Sequence, residues 1–280
     1  MRVSKIFCGL KSNDYMNLID LKLAEIKKRN CIGLMTHVVV GYPSFRATSK
    51  LVQVMAAAGA DFIELQIPFS DPLADGPTIM MACEKSLERG TRVRDAFTIA
   101  AVLSRKVSAP LLFMAYYNTV FRYGVRKFCR DAARAGVSGL IVPDVPLEEE
   151  EGEKFSASAK ANNLYAIRVV APVSTPVRLK KNAAVAEGFV YCSARQGITG
   201  AKKEFSSDLI SYLKKVRKVF KIPLAVGFGV SNREHIEKLA PHADIAVVGS
   251  AIIDVVKVSP RPLLIRNVER FVRALKRNSN

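Results

Sequence analysis

The segment DFIELQIPFSDPLADGP, residues 61–77, combines an apolar run, an acid inside that run and a loop that ends in a second acid. A short apolar run bounded by proline and glycine predicts a parallel strand that is buried on both faces. Glu64 lies inside the run, where a carboxylate is costly unless it is paired or protonated. Asp75 follows in a proline-stiffened loop. Two carboxyls in such different surroundings can have separated pKa values, one serving as an acid and the other as a fixed charge, so the segment indicates catalysis.

Similar short apolar runs recur along the chain and alternate with helical patterns. Eight strands are predicted, at Leu34–Val40, Phe62–Ile67, Leu111–Tyr116, Gly139–Val142, Tyr165–Val170, Phe189–Cys192, Leu224–Val226 and Ile245–Val248. Eight helices are predicted between them, at Phe45–Ala58, Thr78–Arg89, Val93–Ser104, Val120–Ala135, Leu147–Ala161, Pro176–Ala186, Asp208–Phe220 and Arg233–Ala240. Ser44 before the first of these helices and Gly59 after it are typical helix caps.

This alternation, without a linker or a shift in composition, predicts one α/β domain over residues 1–280, a closed (β/α)8 TIM barrel of parallel strands with outer helices. Residues 1–17 are expected to be an N-terminal extension or a short helix. An open doubly wound sheet is the alternative fold. Because active sites of barrels lie at the carboxyl ends of the strands, we expect Glu64, Asp75 and Asp144 at that end.

Two glycine turns follow the predicted seventh and eighth strands, Gly227-Phe228-Gly229 and Gly249-Ser250, and a helix is expected after each. Glycine lets the backbone approach a ligand, and helix N-termini offer unpaired N–H groups. Loops at these two places in a barrel often bind phosphate, so the turns predict a phosphorylated small substrate. The alternative is that the glycines only permit tight turns.

Composition restricts the class of protein further. The five cysteines lack any CxxC spacing, which argues against zinc and a disulfide framework and favours a reducing cytosol. The longest apolar stretches, such as Ile245–Val256, are shorter than the about 20 residues that a bilayer span needs. The net charge of +18 suits a polyanionic partner, but no nucleic-acid-binding motif accompanies it. Solvated basic faces of outer helices are the simpler interpretation.

Six motifs occur in an order that resembles one known family. They are GYP at 41–43, ELQIPFSDPLADGPTI at 64–79, PDVPLEE at 143–149, GITG at 197–200, VGFGVS at 226–231 and VVGSA at 247–251. From about residue 18 to its end, the chain resembles the α subunit of tryptophan synthase. The resemblance implies a lyase that cleaves indole-3-glycerol phosphate to indole and glyceraldehyde 3-phosphate by a retro-aldol reaction.

The resemblance also implies roles for individual residues. Glu64 would move protons at the indole ring and the glycerol side chain, Asp75 would bind the indole N–H, and Tyr191 would lie near the reacting carbons. Phosphate contacts carry over to Gly200, Gly229, Gly249 and Ser250. Residues expected to line the pocket are His37, Gln66, Met114, Ile141, Thr199 and Phe228. A mobile lid is expected at about 194–203, where Thr199 would meet Asp75.

A partner is implied as well, a pyridoxal-phosphate-bearing β subunit that consumes the indole in a cytoplasmic α2β2 heterotetramer. Asp71, Asn118 and Pro146 are expected at that interface. No cofactor is expected in this chain, because general acid–base chemistry suffices, and no metal site is predicted since the histidines lack ligand spacing.

The chain departs from the family pattern around its acids. Gln66 stands where the family has glycine and His37 where it often has phenylalanine; Val39, Met80 and Ala194 are further departures. By strand alternation Gln66 points to the same side as Glu64, so its amide is expected to crowd or hydrogen-bond that carboxyl. An imidazole at position 37 is expected to weaken indole packing or to make turnover depend on pH.

Other interpretations of these residues stay open at this point. Glu64 could pair with Arg168 or Arg195, Asp75 could support a turn or a helix start, and Tyr191 could serve packing alone. Two functional alternatives follow from the departures: a catalytically weakened subunit that activates the β subunit, and a stand-alone indole-producing lyase.

Overall fold

The computed structural model describes residues 16–145, 152, 154–193, 207–227 and 229–276. Eight parallel strands in these ranges close into a barrel in chain order, and the first strand pairs with the eighth. The strands are β1 Gly33–Val39, β2 Phe62–Gln66, β3 Leu111–Met114, β4 Val137–Ile141, β5 Tyr165–Val170, β6 Val190–Ser193, β7 Leu224–Gly227 and β8 Ile245–Val248. The predicted TIM barrel is confirmed. The alternative, an open doubly wound sheet, is wrong because β1 pairs with β8 and closes the sheet.

Helices surround the barrel. Those within the described ranges are α1 Leu18–Lys28, α2 Phe45–Ala57, α3 Pro77–Glu88, α4 Val93–Leu103, α5 Tyr117–Tyr123, α6 Val125–Arg134, α7 Phe155–Lys160, α8 Pro176–Val185, α9 Ser207–Val219, α10 Arg233–Leu239, α11 Ser250–Val258 and α12 Leu264–Lys276. The cap predicted for α2 is confirmed, because Ser44 Oγ accepts a hydrogen bond from the Ala47 N–H at 3.2 Å. In the part of the chain that the structure describes, no helix has the length and apolarity to cross a bilayer.

One helix predicted as continuous is broken in the structure. The stretch Val120–Ala135 is two helices, α5 and α6, which meet at Gly124. Gly124 has φ 92°, a left-handed conformation that glycine adopts readily and that an α-helix cannot continue through. Of the helix predicted at Leu147–Ala161, residues 147–151 and 153 lie outside the described ranges, and α7 occupies its second half.

Strand alternation divides the buried side chains into two clusters. One lies between the strands and the outer helices, and the other fills the barrel interior. The interior cluster includes Met35, Phe62, Leu112, Met114, Ile141, Ile167, Phe189 and Ala225. Because residues two apart on a strand share a face, the alternation that places Met35 and Phe62 inside also turns His37, Glu64 and Gln66 inward, nearer the carboxyl ends.

Helix α1 covers the opposite, amino-terminal end of the barrel. Its Ile19 and Ile26 side chains belong to the interior cluster. Asn17 caps the helix, accepting a hydrogen bond from the Ile19 N–H at 2.9 Å and donating to the backbone oxygens of Ser138 at 3.0 Å and Asn163 at 2.9 Å. The helix therefore begins at Leu18, where the predicted extension ends.

Asp61 should matter for stability rather than for chemistry, because it lies at the start of β2. It is 4% exposed, pairs with Arg29 and Lys276, and accepts a hydrogen bond from the Leu34 N–H at 2.8 Å. We expect Asp61→Ala to lower the free energy of unfolding by about 1–3 kcal/mol, because a buried N–H loses its acceptor and two partly solvated cations lose their partner. Urea unfolding beside Asp208→Ala, at an exposed site, measures this; equal stabilities would contradict it.

Candidate active site

Glu64 projects into the barrel from β2 and is 3% exposed. In the parallel ladder it stands directly opposite His37 of β1. His37 Nδ1 lies 3.2 Å from Glu64 Oε2, a charge contact without the alignment of a full hydrogen bond. Burial by itself lowers the pKa of His37, but the Glu64 carboxylate and, less strongly, Asp75 and Gln66 raise it above its ordinary value. His37, which the resemblance places beside the indole, is thus an imidazole whose surroundings favour its charged form.

Asp75 lies in the loop after β2 and faces the same end of the barrel. Its Oδ2 accepts two hydrogen bonds, from Gln66 Nε2 at 2.6 Å and from the Tyr116 hydroxyl at 3.0 Å. Burial raises the pKa of Asp75, and His37, Gln66 and Tyr116 offset only part of that increase. We call Glu64 and Asp75 the acid pair. The two carboxyls have different partners: Glu64 lies beside a histidine, whereas Asp75 accepts hydrogen bonds from two neutral donors.

Gln66 forms its hydrogen bond with Asp75 and not with Glu64, the partner that the sequence analysis predicted. The sequence predicted contact with Glu64, because both side chains point inward from β2. Instead its Nε2 reaches forward to Asp75, since the loop after β2 folds back over the strand end. Gln66 is fully buried, and its Oε1 has no hydrogen-bond partner among the described residues.

Tyr191 faces the acid pair from β6, on the other side of the barrel. Burial, with Glu64 and Asp75 adding to it, raises the pKa of Tyr191 well above its ordinary value, so the phenol stays protonated. A Cβ atom at Gly227, on the neighbouring strand β7, would lie only 2.6 Å from the Tyr191 hydroxyl. The glycine at the end of β7 is thus needed for the tyrosine ring as well as for a turn.

The remaining predicted pocket and phosphate residues lie in different parts of this end of the barrel, and some lie outside the described ranges. Met114 and Ile141 are buried interior residues at the carboxyl ends of β3 and β4. Gly249 ends the turn after β8, close to the Cβ atom of His37, and Ser250 begins α11. Gly229 is exposed, with φ 47°. Four predicted site residues lie outside the described ranges: Thr199 and Phe228 of the pocket, Gly200 of the phosphate contacts and Pro146 of the interface.

The loops around this end carry the remaining residues predicted to meet a partner. Asp71 and Asn118 are exposed, in the loop after β2 and near the start of α5. Leu73, in the same loop as Asp71, is 94% exposed, which leaves an apolar side chain beside the acid. The geometry places these residues together at the rim of the acid pair's end of the barrel.

The structure decides between several interpretations that the sequence left open. Arg168 belongs to β5 and donates to Ser156, whereas the cationic partner of Glu64 is His37; Arg195 lies outside the described ranges. The Asp75 side chain does not cap α3, whose N-cap Gly76 has no side-chain hydrogen bond. The Asp144 carboxylate accepts from the Tyr117 N–H at 2.8 Å and supports the start of α5.

Tyr116 is a site residue that the sequence analysis missed. Its hydroxyl accepts a hydrogen bond from the Ala74 N–H at 2.9 Å and donates to Asp75, so it fixes both the loop and the carboxylate. The signal was present, because Leu112, Met114 and Tyr116 alternate along the predicted strand Leu111–Tyr116 and the first two line the interior. A tyrosine two residues beyond a pocket methionine could therefore have been assigned to the site.

A closed (β/α)8 barrel with a buried acid and a buried histidine at the carboxyl ends of its strands, and a half-buried acid in the loop beside them, has the architecture of a barrel enzyme. A family model described as the tryptophan synthase alpha chain matches residues 23–279. This chain belongs to that family.

Individual relatives agree with this assignment. The tryptophan synthase alpha chain of Desulfotalea psychrophila is 47% identical over 234 residues, covering 84% of this chain and 91% of the relative. That of Desulforapulum autotrophicum is 40% identical, over 92% and 100% of the two chains. A structure of Mycobacterium tuberculosis tryptophan synthase aligns with a TM-score of 0.85 at 32% identity, over 93% and 97% of the two chains.

Proposed function

We propose that this chain cleaves indole-3-glycerol phosphate to indole and glyceraldehyde 3-phosphate, as the α subunit of a tryptophan synthase. Membership of the tryptophan synthase alpha chain family supports the reaction. The observation that carries the proposal is the acid pair, a buried and a half-buried carboxyl that face one end of the barrel with different partners. Such a pair can divide proton transfer and charge stabilisation between its members.

The proposed reaction moves two protons and breaks one bond. A proton is delivered to C3 of the indole, and the hydroxyl on the adjacent side-chain carbon loses its proton. The O–H electron pair forms the aldehyde carbonyl, and the electrons of the broken carbon–carbon bond return to the ring as indole. We assign both transfers to Glu64, whose burial and position suit general acid–base catalysis.

Asp75 is proposed to accept the indole N–H and to stabilise the positive charge that protonation of C3 places on the ring. Both of its hydrogen bonds within the described chain fall on Oδ2, which leaves Oδ1 for a ligand. Tyr191 is proposed to contact the reacting carbons as a neutral phenol. Met114 and Ile141 supply apolar surface for the ring, together with Phe228 from the resemblance.

The phosphate is proposed to bind at the turns after β7 and β8. Gly249, Ser250 and the first turn of α11 offer backbone N–H groups and the positive end of a helix dipole. Gly229 lies after β7, and its exposure suits a ligand contact. Gly200 and the lid residue Thr199 complete the set on the resemblance alone.

Partner, cofactor and location follow from the same proposal. A pyridoxal-phosphate-bearing β subunit would dock on the rim that carries Asp71 and Asn118, with Pro146 added from the resemblance. Leu73, which is 94% exposed in the same loop as Asp71, would contribute favourably if the β subunit covered it, because burying apolar surface is favourable. The chain itself would need no cofactor, and the reaction would take place in the cytoplasm.

The proposal is tested by measuring indole release from indole-3-glycerol phosphate, with the purified chain alone and with a β subunit. Indole in either case supports it, and a higher rate with the β subunit supports the partnership. Folded protein that releases no indole in both cases would contradict it.

A second candidate function is an activating subunit that has lost cleavage. Gln66 favours it, because its amide already occupies one oxygen of Asp75. This candidate predicts that the chain accelerates the β subunit's own reaction without forming indole. A stand-alone lyase predicts the reverse, indole release with no measurable binding of a β subunit.

A further inference from the structure

We infer that His37 and Gln66 are positioning residues, which join the acid pair into one polar chain, Glu64–His37–Gln66–Asp75, across the mouth of the barrel. Two links are direct: His37 Nδ1 lies 3.2 Å from Glu64 Oε2, and Gln66 Nε2 lies 2.6 Å from Asp75 Oδ2. The catalytic consequence of this chain rests on the proposed function, but its existence does not.

The middle link follows from two complementary atoms. His37 Nε2 and Gln66 Oε1 are both buried and have no hydrogen-bond partner among the described residues. The two residues are neighbours across the ladder, because His37 pairs with Glu64 and Val39 pairs with Gln66. Gln66 is also among the groups that raise the pKa of His37, so the two side chains lie close to each other.

Protonation of His37 completes the chain. A neutral imidazole has one N–H, and one that donates towards Glu64 leaves Nε2 without a hydrogen. The imidazolium has two, so it can donate to Glu64 Oε2 and to Gln66 Oε1 together. A carbonyl oxygen held in this way fixes the amide plane of Gln66 and directs its Nε2 to Asp75. The charge on His37 thereby orients both carboxyls.

The groups that face His37 agree with a cationic state. Glu64 and Gln66 approach it from β2 and Asp75 from the following loop. The backbone of Gly249, after β8, and the apolar side chain of Ile79, from α3, pack nearby. Across the barrel, the carboxyls of the acid pair act on Tyr191. Among the described residues, the groups that shift the pKa of His37 are Glu64, Asp75 and Gln66, and none is a Lys or an Arg. Two acids and an amide oxygen therefore dominate its electrostatic surroundings.

The link is tested without any substrate by following histidine titration with ¹⁵N NMR. The chain has three histidines, and His235 and His242 are half-buried outside this site. In the wild type, we expect His37 to titrate above about 6.5, the ordinary value for histidine. We expect its midpoint to fall below about 6.5 in Glu64→Gln, because burial is then opposed only by Asp75 and Gln66. Gln66→Met, which keeps the volume and removes the amide, should lower it by a smaller amount.

Assignment of the His37 signal does not depend on one variant. The signal of His37 is the one that disappears in His37→Asn. If that protein fails to fold, His235→Gln and His242→Gln identify the same signal by elimination. An unchanged His37 midpoint in Glu64→Gln, or in Gln66→Met, would overturn the inference even if the chain cleaves its proposed substrate.

Kinetics test the positioning role separately. If indole is released, Gln66→Met and Gln66→Gly should both lower kcat by about tenfold or more, with a smaller change in KM, because Asp75 loses its orienting donor. In His37→Asn, the midpoint of the kcat profile against pH should move away from the wild-type value. A rate that stays the same or rises in either Gln66 variant would overturn the role of Gln66. If the wild type releases no indole, the proposed function fails, and the NMR result still decides whether the polar chain exists.

Discussion

Glu64→Gln is expected to lower kcat for indole release by about 10²–10⁴-fold, the usual contribution of a positioned proton-transfer group. The amide keeps the size and shape of the side chain, which is 3% exposed, so packing inside the barrel is retained. It cannot carry a proton between C3 of the indole and the side-chain hydroxyl. The loss should therefore appear in kcat, with little change in KM for a substrate held by its phosphate and its ring.

The matched control for this prediction is Glu84→Gln, an identical change at an exposed position of α3. Its kcat should equal that of the wild type. Retention of more than about a tenth of the wild-type kcat by a folded Glu64→Gln protein would assign the proton transfers to another group.

Asp75→Asn is expected to lower kcat/KM by about 10²–10³-fold, the range seen when one electrostatic contact to a developing charge is removed. The amide oxygen can still accept hydrogen bonds from Gln66 and Tyr116, so the loop keeps its anchors. What is lost is the negative charge opposite the ring nitrogen. Asp208→Asn, at an exposed position of α9, is the matched control.

The same substitution should not lower stability at neutral pH. The pKa of Asp75 is raised by burial, so the folded state binds its proton more tightly than the unfolded state does. Its contribution to stability is therefore greatest at low pH and falls as the pH rises from the ordinary carboxyl pKa through the raised one. Asparagine does not ionise, so it does not lose stability in this way as the pH rises. Thermal unfolding measured between pH 4 and pH 8 should therefore show that Asp75→Asn is at least as stable as the wild type. A clear drop in Tm at pH 7, together with lost activity, would indicate a structural role instead.

The strands could be predicted from the sequence because each is a short apolar run bounded by turn residues, the pattern expected of a strand in a sheet buried on both faces. Position along the chain then placed Glu64 and Asp75 at one end of the barrel. The break between α5 and α6 was missed because Gly124 lies inside a long helical pattern, where one glycine is often tolerated. The covering of the amino-terminal end of the barrel by α1 was not predicted, because it depends on tertiary contacts.

The side-chain contacts of Glu64 and Asp75 could be predicted less well than the strands. Strand alternation correctly placed Gln66 on the same face as Glu64, but it could not show how far the following loop folds back. That loop brings Asp75 within reach of Gln66 and Tyr116, a contact between residues up to 41 positions apart. The pairing of His37 with Glu64 depends on the register of β1 against β2, which only the closed sheet fixes.

The most direct test of the central claim is the reaction in D2O, with products analysed by NMR and mass spectrometry. If this barrel mouth delivers a proton to C3 before the carbon–carbon bond breaks, indole and glyceraldehyde 3-phosphate appear in equal amounts and the indole carries one deuterium at C3. Folded enzyme that yields indole without that deuterium, or yields neither product, would contradict the account.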